Sequence, residues 1–188
     1  MRNPIGRLVA VGLMAAMTLA VTVGSASAWP PKGSFLIDGK IEHPMLLSTE
    51  EIADFLATTN PHVYTVTFQA GTAVETHTFT GFLLYDVLTF LGPKFDPAVR
   101  NDKLRFYASA TGSDGYQAIV AWGEFDPTFE NKPVLLAFTQ DGKSLAGGGP
   151  RLVVPDDIRG GRYVSDVVSI RLERVLPDPV VEFLPLGP

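Results

Sequence analysis

The chain has 188 residues, with 15 Lys+Arg against 20 Asp+Glu, and no cysteine. The missing thiol excludes disulfides, Cys-bound zinc, iron–sulfur clusters and thiol nucleophiles. A net charge of −5 argues against a nucleic-acid partner, which needs a basic face; a hydrophobic fraction of 46% is enough to bury a core.

The N-terminus has the form of an export signal. Arg2 and Arg7 precede an apolar run from Leu8 to Val23, and Ala26-Ser27-Ala28 is an A-x-A cleavage pattern. The run is short for a spanning helix and holds Gly12, Thr18 and Thr22. Cleavage after Ala28 would leave 160 residues with a net charge of −7, one domain in size. Arg2 and Arg7 are not adjacent, so the twin-arginine pattern is absent and export as an unfolded chain is expected.

After a Pro/Gly-rich lead, Trp29 to Ser34, Phe35-Leu36-Ile37 reads as a strand and Asp38-Gly39 as a turn. Ser48 and Glu51 have capping-box spacing ahead of a helix carrying Ile52, Phe55 and Leu56, which Asn60-Pro61 would end. Val63–Phe68 and Val74–Phe79 form an expected hairpin around Gln69-Ala70-Gly71-Thr72. Leu83, Leu84, Val87, Leu88 and Leu91 have helical spacing, stopped by Gly92-Pro93. Strands are expected at Leu104–Ala108, Tyr116–Trp122, Val134–Phe138, Arg151–Val154 and Val167–Leu172. Turns fall at Gly112–Gly115 and Asp141-Gly142. The tail from Leu176, with four prolines, reads as extended. Strands with a few inserted helices indicate an α+β fold on a β-rich mixed sheet framework.

Four groups of residues could carry chemistry. Successive N–H groups of Gly147-Gly148-Gly149-Pro150-Arg151 could hold an anion, or the glycines could serve only a tight turn; no Lys-Ser/Thr follows, so this is no P-loop. Arg159 and Arg162 flank Gly160-Gly161, which suits a phosphate, but they could equally pair with Asp156 and Asp157. Asp114-Gly115-Tyr116 is a turn that could also present a Tyr hydroxyl to a ligand. The histidines are His43, His62 and His77. Pairing Phe68 with Ala73 would make His62 and His77 diagonal neighbours, a metal site only if further ligands such as Glu75 joined; exposed or hydrogen-bonded histidines are the simpler reading, and no metal site is assigned. No G-x-S-x-G or paired-carboxylate constellation is present.

In order and spacing, several segments resemble the molybdopterin-binding domain of the sulfite oxidase family. They are Gly81–Leu88, Asp114–Ala118, Val134–Phe138, Asp141–Leu145, Gly149–Pro155 and Gly161–Val164, and the resemblance covers roughly residues 35–174. It implies a pterin cleft, with Tyr116 near the substrate oxygen and Arg162 near the pterin phosphate. Two positions depart from the family pattern. The cysteine that holds molybdenum in the family falls within Phe68-Gln69-Ala70-Gly71-Thr72, which has no thiol, and the family's lysine after "ARxV" is Ser165. Neither Gln69 nor Ala70 replaces a soft thiolate donor. In the family, exported members take up the cofactor before crossing the membrane folded, which an unfolded exported chain could not do.

The resulting expectation is a signal peptide (1–28), a molybdopterin-binding-domain-like fold (29–175) and a Pro-rich tail (176–188). The product would be a soluble periplasmic or secreted domain without nucleic-acid partner or membrane span. Its cleft would be lined by Asp114, Tyr116, Arg151, Arg159 and Arg162, and would bind a small anionic or pterin-like ligand or a partner protein without Cys–molybdenum catalysis. Tyr116 is a catalytic candidate by resemblance alone. The alternatives are a molybdopterin-dependent oxidoreductase lacking a protein thiolate ligand, and an interaction subunit of an exported complex docking through the tail.

Overall fold

A computed structural model describes residues 30–31, 33–48, 51, 60–145 and 148–175. The export signal, the helix expected after Glu51 and the tail from Leu176 lie outside them. The helix's capping box is nonetheless in place: the Glu51 amide donates to Ser48 Oγ at 3.2 Å, and the Ser48 amide donates to the Glu51 carboxylate at 2.9 Å.

Two five-stranded sheets make up the fold. In the first, β2 (Met45–Ser48), β1 (Ser34–Gly39), β10 (Val167–Arg174), β5 (Phe106–Gly112) and β6 (Gln117–Ala121) lie side by side. Among the described strands only β1 and β10 pair in parallel, one near each end of the described residues. The second sheet has the order β3 (His62–Ala70), β4 (Ala73–Leu83), β7 (Leu135–Gln140), β8 (Lys143–Ser144), with β9 (Arg151–Val153) also paired to β7. One apolar core draws on both sheets: Phe35, Ile37, Phe106, Ile170 and Leu172 from the first, Phe68, Phe79, Leu135 and Leu152 from the second. The short helices α1 (Leu84–Phe90) and α2 (Trp122–Phe125) contribute Leu84, Leu88, Trp122 and Phe125. The α+β, sheet-rich expectation is met.

Local differences have local causes. The hairpin turns on Gly71-Thr72 alone, with Ala70 opposite Ala73, because Gly71 supplies the positive φ of +61° that a two-residue turn requires. Phe68 therefore faces Glu75 rather than Ala73. The two-residue shift keeps His62 and His77 on one face but moves them apart, opposite Gly81 and Val66 respectively. Leu104 and Arg105 lie not in a strand but in a 3-10 turn, Asp102–Arg105, entered through left-handed Asn101; β5 begins after it. Trp122 leaves β6 to open α2, where the Glu124 carboxylate accepts from the Ala121 amide at 2.9 Å. The helix predicted from the leucine spacing is shorter, Leu84–Phe90, because Leu83 still pairs with Leu135 in the sheet.

Candidate functional site

The end of β3 is covered by the segment that links β9 to β10. Gln69 donates its amide to the Ile158 carbonyl at 2.9 Å and forms an isolated parallel bridge with Arg159. Gly160 then passes so close that a Cβ there would lie 2.8 Å from the Phe68 ring. Tyr163 packs its ring 4.4 Å, centroid to centroid, from that of Phe68. From the first sheet, the Tyr116 hydroxyl donates to the Gly161 carbonyl. The sequence thus brings Tyr116, Arg159 and Arg162 to one region, although they come from different elements.

Their charges are committed unequally. Arg162 donates through Nε and Nη2 to Asp157 and through Nη1 to Glu124, at 2.6–3.0 Å. Asp157 and then Glu124 hold its pKa above the ordinary guanidinium value. Lys132 lies within 4 Å of Glu124, Glu130 and Asp157. Arg159 is exposed and makes no ion pair among the described residues. Asp114 is spent on its own turn, accepting from the Tyr116 amide at 2.9 Å.

Arg151, on β9, has a different environment. Its Nη1 donates to Gln140 Oε1 at 3.1 Å and its guanidinium sits over the Phe79 ring, yet its Nε is buried without a partner. Burial pushes its pKa down, with Glu75 opposing. Among the described residues no carboxylate pairs with it. The second orphan is the hydroxyl of Tyr163, whose side chain is only 5% exposed. Burial, with Asp157 and Asp156, pushes the phenol up to about 12, so it stays a donor at neutral pH. His77 joins the two environments: its ring lies 6.2 Å from Phe68 and 6.1 Å from Phe79. His77 Nδ1 is 2.7 Å from Asp141 and Nε2 is 3.2 Å from Glu75, an arrangement suited to the imidazolium. The pKa is raised, chiefly by Asp141.

Tyr163 and Gln140 are not marked as site residues by the sequence. The tyrosine follows two glycines and an arginine, and nothing in that string marks a phenol that will be buried unpaired. Of the glycine loop, Gly147 lies outside the described residues. The Gly149 amide is taken by Asp166 Oδ1 at 2.9 Å, so it is not free for an anion.

The fold is shared with known proteins. The chain is similar in fold to the sulfane dehydrogenase SoxCD from Paracoccus pantotrophus, with a TM-score of 0.55 and 19% identity over 74% of this chain and 38% of that one. It therefore spans well under half of that relative. No curated protein sequence matches the chain significantly. Residues 25–175 match the oxidoreductase molybdopterin-binding domain, and the chain belongs to that family.

Family membership raises the question of whether these residues suit the family's cofactor. In the stretch where the resemblance places the family's metal-binding cysteine, Phe68 is buried beneath Gly160 and Tyr163. Gln69 is bound through its backbone to Ile158, and the chain turns immediately at Gly71. The donors on offer are amides and carbonyls, and the whole chain contains no sulfur beyond methionine. These residues do not fit a molybdenum anchored to the protein through a thiolate. Nor do the described residues bring together three His, Asp or Glu side chains able to hold another metal.

Proposed function

We propose that this protein is an exported domain of the molybdopterin-binding family that binds a small anion and does not perform Cys–molybdenum redox chemistry. One observation carries the reading. Arg151 Nε and the Tyr163 hydroxyl are buried donors with no acceptor among the described residues, held in an aromatic setting of Phe68 and Phe79. A buried donor left unpaired costs about 1–3 kcal/mol, and an anionic oxygen would relieve both. Arg159 supplies an exposed cation at the same segment, which Tyr116 reaches through the Gly161 carbonyl. Arg162 acts by holding the segment in place through Asp157 and Glu124.

No helix among the described residues is long and apolar enough to cross a membrane. Calorimetric titration with sulfate, phosphate and acetate tests the anion reading. At least one should bind, and Arg151→Gln and Tyr163→Phe should each weaken it roughly tenfold, the effect of losing one charge-assisted hydrogen bond. Binding of none of the three, or unchanged affinity in both variants, would overturn it.

A second reading rests on the family match itself: a molybdopterin enzyme in which the chain gives the metal no ligand. Elemental and pterin analysis of the protein purified from its native compartment decides between the two. Stoichiometric molybdenum and pterin support the enzyme; their absence from a folded, anion-binding protein supports the binding domain.

A further inference from the structure

A separate concavity of about 190 Å³ opens where β3, α1 and the loop after α2 meet. It is smaller than the roughly 300–1,000 Å³ of sites for drug-sized ligands, which limits any occupant to a small molecule. Tyr64 and Tyr85 line it, with Phe125 and Pro133. Tyr85 is braced against Trp122, ring centroids 5.8 Å apart, and Tyr64 stacks on His62 at 6.5 Å.

Two charged side chains line it, Asp86 and Lys132. Asp86 lines the cavity and makes no hydrogen bond among the described residues; its nearest charged partner is His62, at 3.9 Å. Burial raises its pKa, with His62 opposing. Lys132 also lines the cavity, but its ammonium is shared among Glu124, Glu130 and Asp157.

The geometry points to a binding site for a small organic ammonium ion, with Asp86 as the counter-charge and Tyr64 and Tyr85 as aromatic walls. Aromatic faces attract such cations through their negative quadrupole, more strongly once both are removed from water. An alkylammonium also presents apolar methyls to Phe125 and Pro133, which an inorganic cation cannot do. The site is independent of the anion reading, because it shares none of Arg151, Tyr163 or Phe68.

The test titrates choline into the full chain, followed by calorimetry and amide chemical shifts, beside 3,3-dimethyl-1-butanol, its neutral carbon analogue. Choline should bind with shifts at Tyr64, Tyr85 and Asp86, and the neutral analogue should bind at least about tenfold more weakly. Asp86→Asn should reduce choline binding by a similar factor. Equal affinity for the alcohol, shifts located elsewhere, or no choline binding would overturn the proposal. Because the comparison of the two ligands uses the native chain, the result stands even if Asp86→Asn fails to fold.

Discussion

Arg162 grips Asp157 with two parallel hydrogen bonds, Nε to Oδ2 at 2.8 Å and Nη2 to Oδ1 at 2.6 Å, and turns its remaining nitrogen to Glu124 on α2. The bond to Glu124 fastens the segment over Phe68 to α2. Arg162→Ala leaves two carboxylates facing Lys132 alone. The side chain is 30% exposed, so solvent screens part of the loss. A cost of about 1–2 kcal/mol is expected by urea denaturation. A midpoint equal to that of the native protein would show that the segment is held by packing alone.

The buried carboxylate of Asp126 is expected to govern acid stability. Burial alone would raise its pKa, but the Lys103 ammonium, Thr128 and the Trp122 indole N–H outweigh burial and lower it to about 2. A folded-state pKa below the unfolded one means the contribution is complete above about pH 4 and is lost as pH falls through about 2. Asp126→Ala should remove that acid dependence and cost about 3 kcal/mol at neutral pH, as when one member of a buried pair is deleted. Denaturation curves at pH 7 and pH 3 measure both; a variant whose pH dependence matches the native chain contradicts the assignment.

His77 should act with the opposite sign. Its pKa is raised, first by Asp141, so its contribution is complete below the unfolded value of about 6.5 and disappears as pH rises through the folded value. His77→Gln should flatten the stability profile over that interval. A slope that survives the substitution would assign the dependence to another group.

Close backbone approach sets a further prediction. At the register shift between Thr80 and Gly81, a Cβ on Gly81 would lie 2.0 Å from the Leu136 carbonyl oxygen, which belongs to the paired strand and cannot rotate away. Gly81→Ala should destabilise the protein by about 3 kcal/mol. A thermal midpoint within a degree of the native one would mean that β4 and β7 separate more easily than their pairing implies.

The sequence made legible what depends on near neighbours. The Ser48–Glu51 cap, the Gly92 helix stop and the positive-φ turns at Gly71 and Gly142 each act within a few residues, and each is where its residue type requires. Arg162 with Asp157, five residues away, could likewise be weighed as an ion pair. Its bond to Glu124, 38 residues upstream, could not, because only the tertiary fold sets that distance. The same holds for the parallel pairing of β1 with β10 and for Arg151, whose missing partner is visible only once Gln140, Phe79 and Tyr163 surround it. A resemblance carried by segment order supplied the fold, where periodicity supplied only its elements.

Tyr163 separates a structural role from a binding role. If its hydroxyl is an unpaired donor in the free protein, removing it relieves a desolvation cost, so Tyr163→Phe should leave stability unchanged or raise it by about 1 kcal/mol while the ring keeps its contact with Phe68. The same substitution should weaken anion binding, because the donor is then missing when the ligand arrives. A variant that is destabilised by more than about 1 kcal/mol would show that the hydroxyl already has a partner in the free protein, such as an ordered water. In that case the anion would have to displace that partner, and the affinity loss on substitution would shrink accordingly. Thermal unfolding of both proteins, with and without saturating sulfate, reads the two quantities together. The expected signature is a native midpoint that rises with sulfate and a variant midpoint that starts equal or higher and rises less.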